Sequence, residues 1–193
     1  LTGSFLTTKL YIPPTRPNLV SRPRLVARLD ASLGGKLTVV SAPAGFGKTT
    51  LITDWLGASD HPCAWLSLDE NDNDLRLFLS GFVAAVKTLF PIAVNDTSEL
   101  IQAPNLPPTP VVTAIVLNEL ERIAQDFAVV LDDVHLIQDK AVCELLSLML
   151  RHPLRSMQLI LLGRRDPLLP IASLRARGLT AEFRIRDLRF TVD

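Results

Sequence analysis

Between Leu37 and Leu56 the chain changes period once, and that change narrows what it can fold into. Leu37-Thr-Val-Val-Ser-Ala42 is an apolar run that predicts a strand. Leu51-Ile-Thr-Asp-Trp-Leu56 carries the apolar spacing of a helix. Between them lies Pro43-Ala44-Gly45-Phe46-Gly47-Lys48-Thr49-Thr50. Strand, glycine loop, Lys-Thr and helix in this order form a phosphate-binding loop, with Ala42 to Thr50 as its contact set. Gly45 and Gly47 let the backbone bend so that successive N–H groups converge on anionic oxygens. The helix that opens at Lys48 adds the positive end of its dipole. Lys48 supplies a point charge for β- and γ-phosphates, and the Thr49 hydroxyl is suited to ligate Mg²⁺. The strict spacing G-x-x-x-x-G-K-[ST] has glycine where this chain has Ala42, so the flanking strand and helix carry the assignment.

With 193 residues the chain can build one α/β domain with a sizeable core. Twenty basic and twenty acidic residues cancel, which gives no sign of a nucleic-acid or membrane surface. Cys63 and Cys143 lie within apolar segments and read as core residues in a reducing cytosol, not as a disulfide or a metal pair. The sequence shows neither a membrane-length apolar run nor a signal-peptide pattern, so a cytoplasmic location is expected.

Residues 1–21 are polar and proline-marked and predict an extended arm, followed by a short helix from Arg24 to Leu33 that Gly34-Gly35 ends. Further strands are expected within His61–Leu68 and at Ala128–Leu131, Gln158–Leu162 and Ala181–Ile185. Helices are expected at Leu75–Phe90, Thr109–Gln125, Asp139–Arg151 and Ile171–Arg177. Residues 91–110 hold five prolines and little periodicity, and predict a long irregular loop. The alternation predicts a three-layer α/β sandwich: a mainly parallel five-stranded sheet with helices on both faces. Ligands of such sheets bind at the carboxyl ends of the strands, where every polar motif of this chain falls.

The second half of a nucleotide site is expected at Phe127-Ala-Val-Val-Leu-Asp132-Asp133, an apolar strand ending in two carboxylates. Alone, it reads equally well as a strand followed by a helix cap; the phosphate loop about 85 residues upstream decides for a Walker B strand. Asp132 would then hold the magnesium and Asp133 would orient the attacking water. Asp133 is one methylene shorter than a glutamate and reaches such a water less well, which predicts slow hydrolysis. His135 reads more readily as structural than as a direct participant. The next strand ends in Gly163-Arg164-Arg165-Asp166-Pro167, where Arg164, the first to leave the strand, is the candidate to sense a γ-phosphate. Glu70 is a reserve base, although the run Asp69–Asp74 reads first as turns and caps.

With these landmarks placed, almost the whole chain resembles the N-terminal ATPase domain of the MalT-like regulators of the LuxR family, within the signal-transduction ATPases called STAND. The segments that carry the resemblance are Thr8-Lys-Leu-Tyr-Ile-Pro-Pro14, Leu19-Val-Ser-Arg-Pro-Arg-Leu25, Ala42-Pro-Ala-Gly-Phe-Gly-Lys-Thr-Thr-Leu51, Ala64-Trp-Leu-Ser-Leu-Asp-Glu-Asn-Asp-Asn73, Leu131-Asp-Asp-Val-His-Leu-Ile137, Arg164-Arg-Asp-Pro167, Leu174-Arg-Ala-Arg-Gly178 and Asp187-Leu-Arg-Phe-Thr191. The resemblance implies ATP or ADP as ligand, with residues 1–35 reaching the adenine through Val20 and Arg22 and residues 36–193 forming the ATPase core. It implies that nucleotide state controls self-association, and that inducer and DNA are bound by further domains absent from these residues. The family usually has serine before the strand-end arginine, where this chain has Gly163. A stand-alone AAA+ remodeller or loader is the alternative. A GTPase is disfavoured because no Asn-Lys-x-Asp follows Asp133, and the sequence shows no acceptor pocket for a kinase.

Overall fold

The computed structural model describes residues 6–14, 20 and 22–189. In chain order the elements are α1 (Pro23–Asp30), β1 (Leu37–Ser41), α2 (Lys48–Ala58), β2 (Cys63–Ser67), α3 (Leu75–Leu89), α4 (Asn95–Gln102), α5 (Thr109–Glu121), β3 (Phe127–Asp132), α6 (Lys140–Arg151), β4 (Met157–Gly163), α7 (Ala172–Ala176), β5 (Thr180–Arg184) and α8 (Ile185–Leu188). Single 3-10 turns occupy Thr7–Leu10, Glu70–Asn73 and Val134–Leu136.

Local chemistry sets most of these boundaries. Pro23 sits in the first turn of α1, where its missing N–H costs nothing. The Asp74 carboxylate accepts from the Leu77 amide at 2.9 Å and starts α3. Asp139 accepts from the amides of Ala141 and Val142 and starts α6. Gly178, at φ +68°, turns the chain out of α7 toward β5.

The five strands form one sheet in the order β2-β3-β4-β1-β5, with every described pairing parallel. β1, β3 and β4 are buried along their whole length, so their apolar runs serve two faces at once. One face carries Leu37, Val39, Leu66, Val129, Leu131, Leu159 and Leu161 against α3, α5 and α6. The other carries Val40, Trp65, Val130, Ile160, Leu162 and Phe183 against α1 and α2. Trp55 of α2 is buried in this second layer and donates its indole N–H to Asp30 of α1 at 2.7 Å. That bond satisfies the buried nitrogen and docks α1 beside the phosphate loop. The result is the three-layer sandwich expected from the alternation.

Three expectations need correction. Residues 91–110 are not one irregular loop, because α4 lies within them. The arm is not extended throughout: Thr7–Leu10 forms a 3-10 turn held by Lys9, whose ammonium lies 2.8 Å from Asp72 and 2.9 Å from Asp69. α5 ends at Glu121, four residues before the expected Gln125, because the Ile123 amide turns back to the Leu120 carbonyl. Leu19, Ser21, Phe190 and Thr191 of the resembling segments lie outside the described residues.

Candidate functional site

The strand order sets the site. β4 lies between β1 and β3, so the tips of β1, β4 and β3 open side by side at one edge of the sheet. The Ala42 amide, leaving β1, donates to the Gly163 carbonyl at the end of β4 at 3.2 Å. The loop then turns through Gly45 at φ +82° and Gly47 at φ +73°, both in the left-handed region that suits glycine. Gly47 is the N-cap of α2, and no side chain caps that helix. Its first-turn amides therefore face the loop with no side-chain acceptor, the arrangement that binds an anion.

Lys48 is buried, and its Nζ lies across the loop, 3.1 Å from the Pro43 carbonyl. Burial pulls its pKa below the ordinary lysine value; Arg164 adds to this, while Asp132 and Asp133 oppose it. The Thr49 hydroxyl donates to Asp132 Oδ2 at 3.0 Å, which joins α2 to the end of β3. Asp132 is 8 % exposed, and its other oxygen accepts from the Asp133 amide at 2.9 Å. Burial and the neighbouring Asp133 push the Asp132 carboxyl up, against the Thr49 hydrogen bond and Lys48.

Asp133 leaves the strand in a left-handed conformation, φ 58° and ψ 33°, which aspartate tolerates better than most residues. Its carboxylate is 45 % exposed and lies 3.6 Å from His135 Nδ1. Arg164 is exposed at the tip of β4, near enough to depress both Lys48 and His135. Arg165 donates to the His135 carbonyl at 3.4 Å. Glu70 is exposed on the 3-10 turn after β2, where its carbonyl accepts from Asn73.

The sequence-predicted residues Lys48, Thr49, Asp132, Asp133 and Arg164 thus converge on one strand-end edge. Next to them an open cavity of about 400 Å³ is lined by Arg22, Ala44, Gly45, Phe46, Leu188 and Arg189. Arg22 also donates to the Phe46 carbonyl at 3.3 Å. Val20, expected with Arg22, is 64 % exposed and is not among the lining residues. Leu188 and Arg189 were not expected there; their signal was the resembling segment that begins at Asp187. Asn73 was also missed. Its side chain donates to the Leu136 carbonyl and accepts from the amides of Gln138 and Asp139, tying the end of β2 to the turn after β3.

Among the described residues no group of three or more His, Cys, Asp and Glu could hold a metal by itself. A hydroxyl and a carboxylate 3.0 Å apart nevertheless fit a small hard cation that completes its shell with water and phosphate oxygens. Both cysteines are free thiols, and burial pushes Cys63 up to about 12, which leaves it inert. No helix among the described residues is long and apolar enough to cross a membrane.

No family model matches the chain. It is 36% identical over 187 residues to the HTH-type transcriptional regulator MalT of Serratia proteamaculans, a match covering 96% of this chain and 20% of that protein. MalT of Yersinia pestis is 33% identical over 185 residues, with the same coverage. The chain therefore spans about a fifth of the length of the curated relatives it matches. Among solved structures, a STAND protein with a tetratricopeptide repeat sensor from Pyrococcus horikoshii superposes with TM-score 0.60 at 18% identity, covering 89% of this chain and 24% of that one. Cdc6p from Pyrobaculum aerophilum gives 0.57 at 15% identity, covering 90% and 47%. A Walker-type ATPase of Pyrococcus abyssi gives 0.54 at 17% identity, covering 89% and 55%. The chain thus shares its fold with a STAND protein and with a Walker-type ATPase, and its sequence resembles a fifth of the MalT-like transcriptional regulators.

Proposed function

We propose that this domain binds ATP or ADP with Mg²⁺, hydrolyses ATP slowly, and serves as the nucleotide switch of a cytoplasmic transcriptional regulator. The observation that carries the reading is the 3.0 Å contact between Thr49 and Asp132 beside an uncapped helix N-terminus and two left-handed glycines. Ala42 to Thr50 would wrap the phosphates with backbone amides, and Lys48 would leave the Pro43 carbonyl to meet them. Thr49 and Asp132 would hold Mg²⁺, which when bound neutralises phosphate oxygens. The Asp133 carboxylate would orient a water and take its proton, and Arg164 would face the charge that develops on the far side. The half-exposed setting of Asp133 and its short side chain support slow turnover. Residues 1–35 would complete the adenine site through Arg22 and Val20, with residues 36–193 as the core; the cavity beside Phe46 supports this division at Arg22.

The likeness to MalT supports the regulator context, in which the nucleotide acts through different affinities for a resting and a self-associating state. Inducer and DNA would be bound by parts of the protein outside the matched fifth. Calorimetric titration with ATP, ADP and GTP tests the ligand, and Lys48→Ala should abolish triphosphate binding. Equal affinity for GTP removes the adenine assignment. Rapid multiple turnover with nucleotide-dependent ring assembly would instead favour an AAA+-like loader, a reading that the exposed Arg177 on the edge of α7 keeps open.

A further inference from the structure

We infer that His135 is a positioning residue for Asp133: the imidazole Nδ1–H closes on the Asp133 carboxylate and fixes the direction in which it faces the attacking water. The inference rests on the reading of Asp133 as the base. Among the described residues only two buried side-chain polar atoms lack a hydrogen-bond partner, and His135 Nδ1 is one of them. A histidine kept for packing has its buried nitrogen satisfied. This one stands 3.6 Å from Asp133 Oδ1, with its side chain 10 % exposed and that of Asp133 45 % exposed. A displacement of about 0.7 Å brings the pair to ordinary hydrogen-bond length, and the carboxylate is the half-free partner that can make it.

The backbone that carries the imidazole is held on both sides, and the ring is buried while the carboxylate is half-exposed. The Leu136 amide donates to the Asp133 carbonyl at 3.0 Å and closes the turn. Asn73 holds the Leu136 carbonyl at 2.9 Å from the β2 side, and Arg165 holds the His135 carbonyl from the β4 side. Gly163 provides the space. A Cβ there would lie 3.0 Å from the Arg165 carbonyl oxygen, 3.4 Å from Val134 Cγ1 and 3.6 Å from His135 Cβ. A side chain at the end of β4 would force the Arg165 carbonyl to shift and would pack in ordinary contact against Val134 and His135. Burial pulls the imidazole pKa down, Asp133 pulls it up, and Arg164, Arg165 and Lys48 pull it down further. The neutral ring carries one N–H, and the nitrogen facing a carboxylate is the one that keeps it. His135 therefore donates to Asp133 without neutralising it.

The test is single-turnover ATP hydrolysis by the 193-residue chain in molar excess with Mg²⁺, beside ATP affinity and thermal unfolding of each variant. His135→Leu should slow hydrolysis roughly ten- to a hundredfold with ATP affinity unchanged. His135→Asn, whose amide nitrogen can donate from near the Nδ1 position, should recover most of the rate. In the Asp133→Asn background, His135→Leu should cost nothing further, because the two act as a unit. Full-rate hydrolysis by His135→Leu, equal losses in the Leu and Asn variants, or additive losses in the double variant would each overturn the inference. Asp133→Asn that hydrolyses at the full rate removes the base assignment itself, whereas a slow Asp133→Asn beside an unimpaired His135→Leu removes this inference alone.

Discussion

Two glycines of the phosphate loop separate two physical demands. Gly45 and Gly47 both have positive φ, but a Cβ at Gly45 meets nothing within 4 Å, whereas one at Gly47 lies 3.4 Å from an Arg22 guanidinium nitrogen. Gly45→Ala should therefore cost only the conformational strain, about 1–2 kcal/mol. Gly47→Ala should cost that and also displace Arg22, with a larger loss in urea unfolding and a weaker hold on nucleotide. Equal losses in the two variants would show that the Arg22 contact has no energetic weight. The spacing of such residues is what the sequence made legible. Lys48, Thr49, Asp132 and Asp133 follow patterns fixed by how a backbone approaches an anion. Leu188, Arg189 and Asn73 obey no such pattern, because each acts through a partner distant in sequence.

Of the two helices missing from the sequence expectations, α4 and the short α8, the longer α4 shows the same limit at the scale of an element. Only Thr97 and Ile101 of its eight residues are buried, too few for a visible apolar face. No residue of its own caps its start. Glu119, buried in α5, accepts from the amides of Asp96 and Thr97 at 2.8 and 2.9 Å and also from the Thr97 hydroxyl. A cap 22 residues away cannot be found by looking for Ser, Thr, Asp or Asn before an apolar run. Glu119→Ala should cost about 2 kcal/mol, since it strands buried donors, and should abolish amide-exchange protection across residues 95–102 while sparing the sheet. The arm is held by charge. Partial burial works against Asp69, but hydrogen bonds from Lys9 and the Asn71 amide outweigh it and hold the carboxyl below its ordinary value. A depressed carboxyl contributes stability above its unfolded pKa and loses it as pH falls through the folded one. Lys9→Met should thus destabilise by roughly 1–3 kcal/mol at pH 7. The gap from the parent chain should shrink as pH falls below 3.8, the ordinary value for Asp69. A gap that stays constant from pH 7 to pH 3 would mean that Lys9 acts through packing alone.

Across the whole molecule, the alternation of strands and helices made the sandwich legible, but it could not give the strand order. β1, β3 and β4 are buried along their whole length, so their sequences do not say which neighbour each takes. The order matters, because β1 sits between β4 and β5 and gathers two remote segments at its tip. Arg22 enters just before α1, Leu188 and Arg189 leave just after β5, and both meet the loop at Gly45 and Phe46 around the same cavity. Arg28 of α1 reinforces the arrangement, bonding Asp187 at 2.8 Å and lying 4.5 Å from the centre of the Phe183 ring. A nucleotide that filled the cavity would therefore tie the loop to elements more than a hundred residues apart in sequence. ADP with Mg²⁺ at a hundred times its dissociation constant should stabilise the domain by about 2.7 kcal/mol. Amide exchange should slow not only at residues 42–50 but also at 22–30 and 185–189. Arg22→Ala should weaken ADP roughly tenfold, the loss of one charged hydrogen bond, and should remove the added protection at 185–189 while keeping that of the loop. Protection confined to 42–50 in the parent chain would mean that the cavity is not where the base sits, and that nucleotide state does not reach the segments through which the chain enters and leaves the sheet.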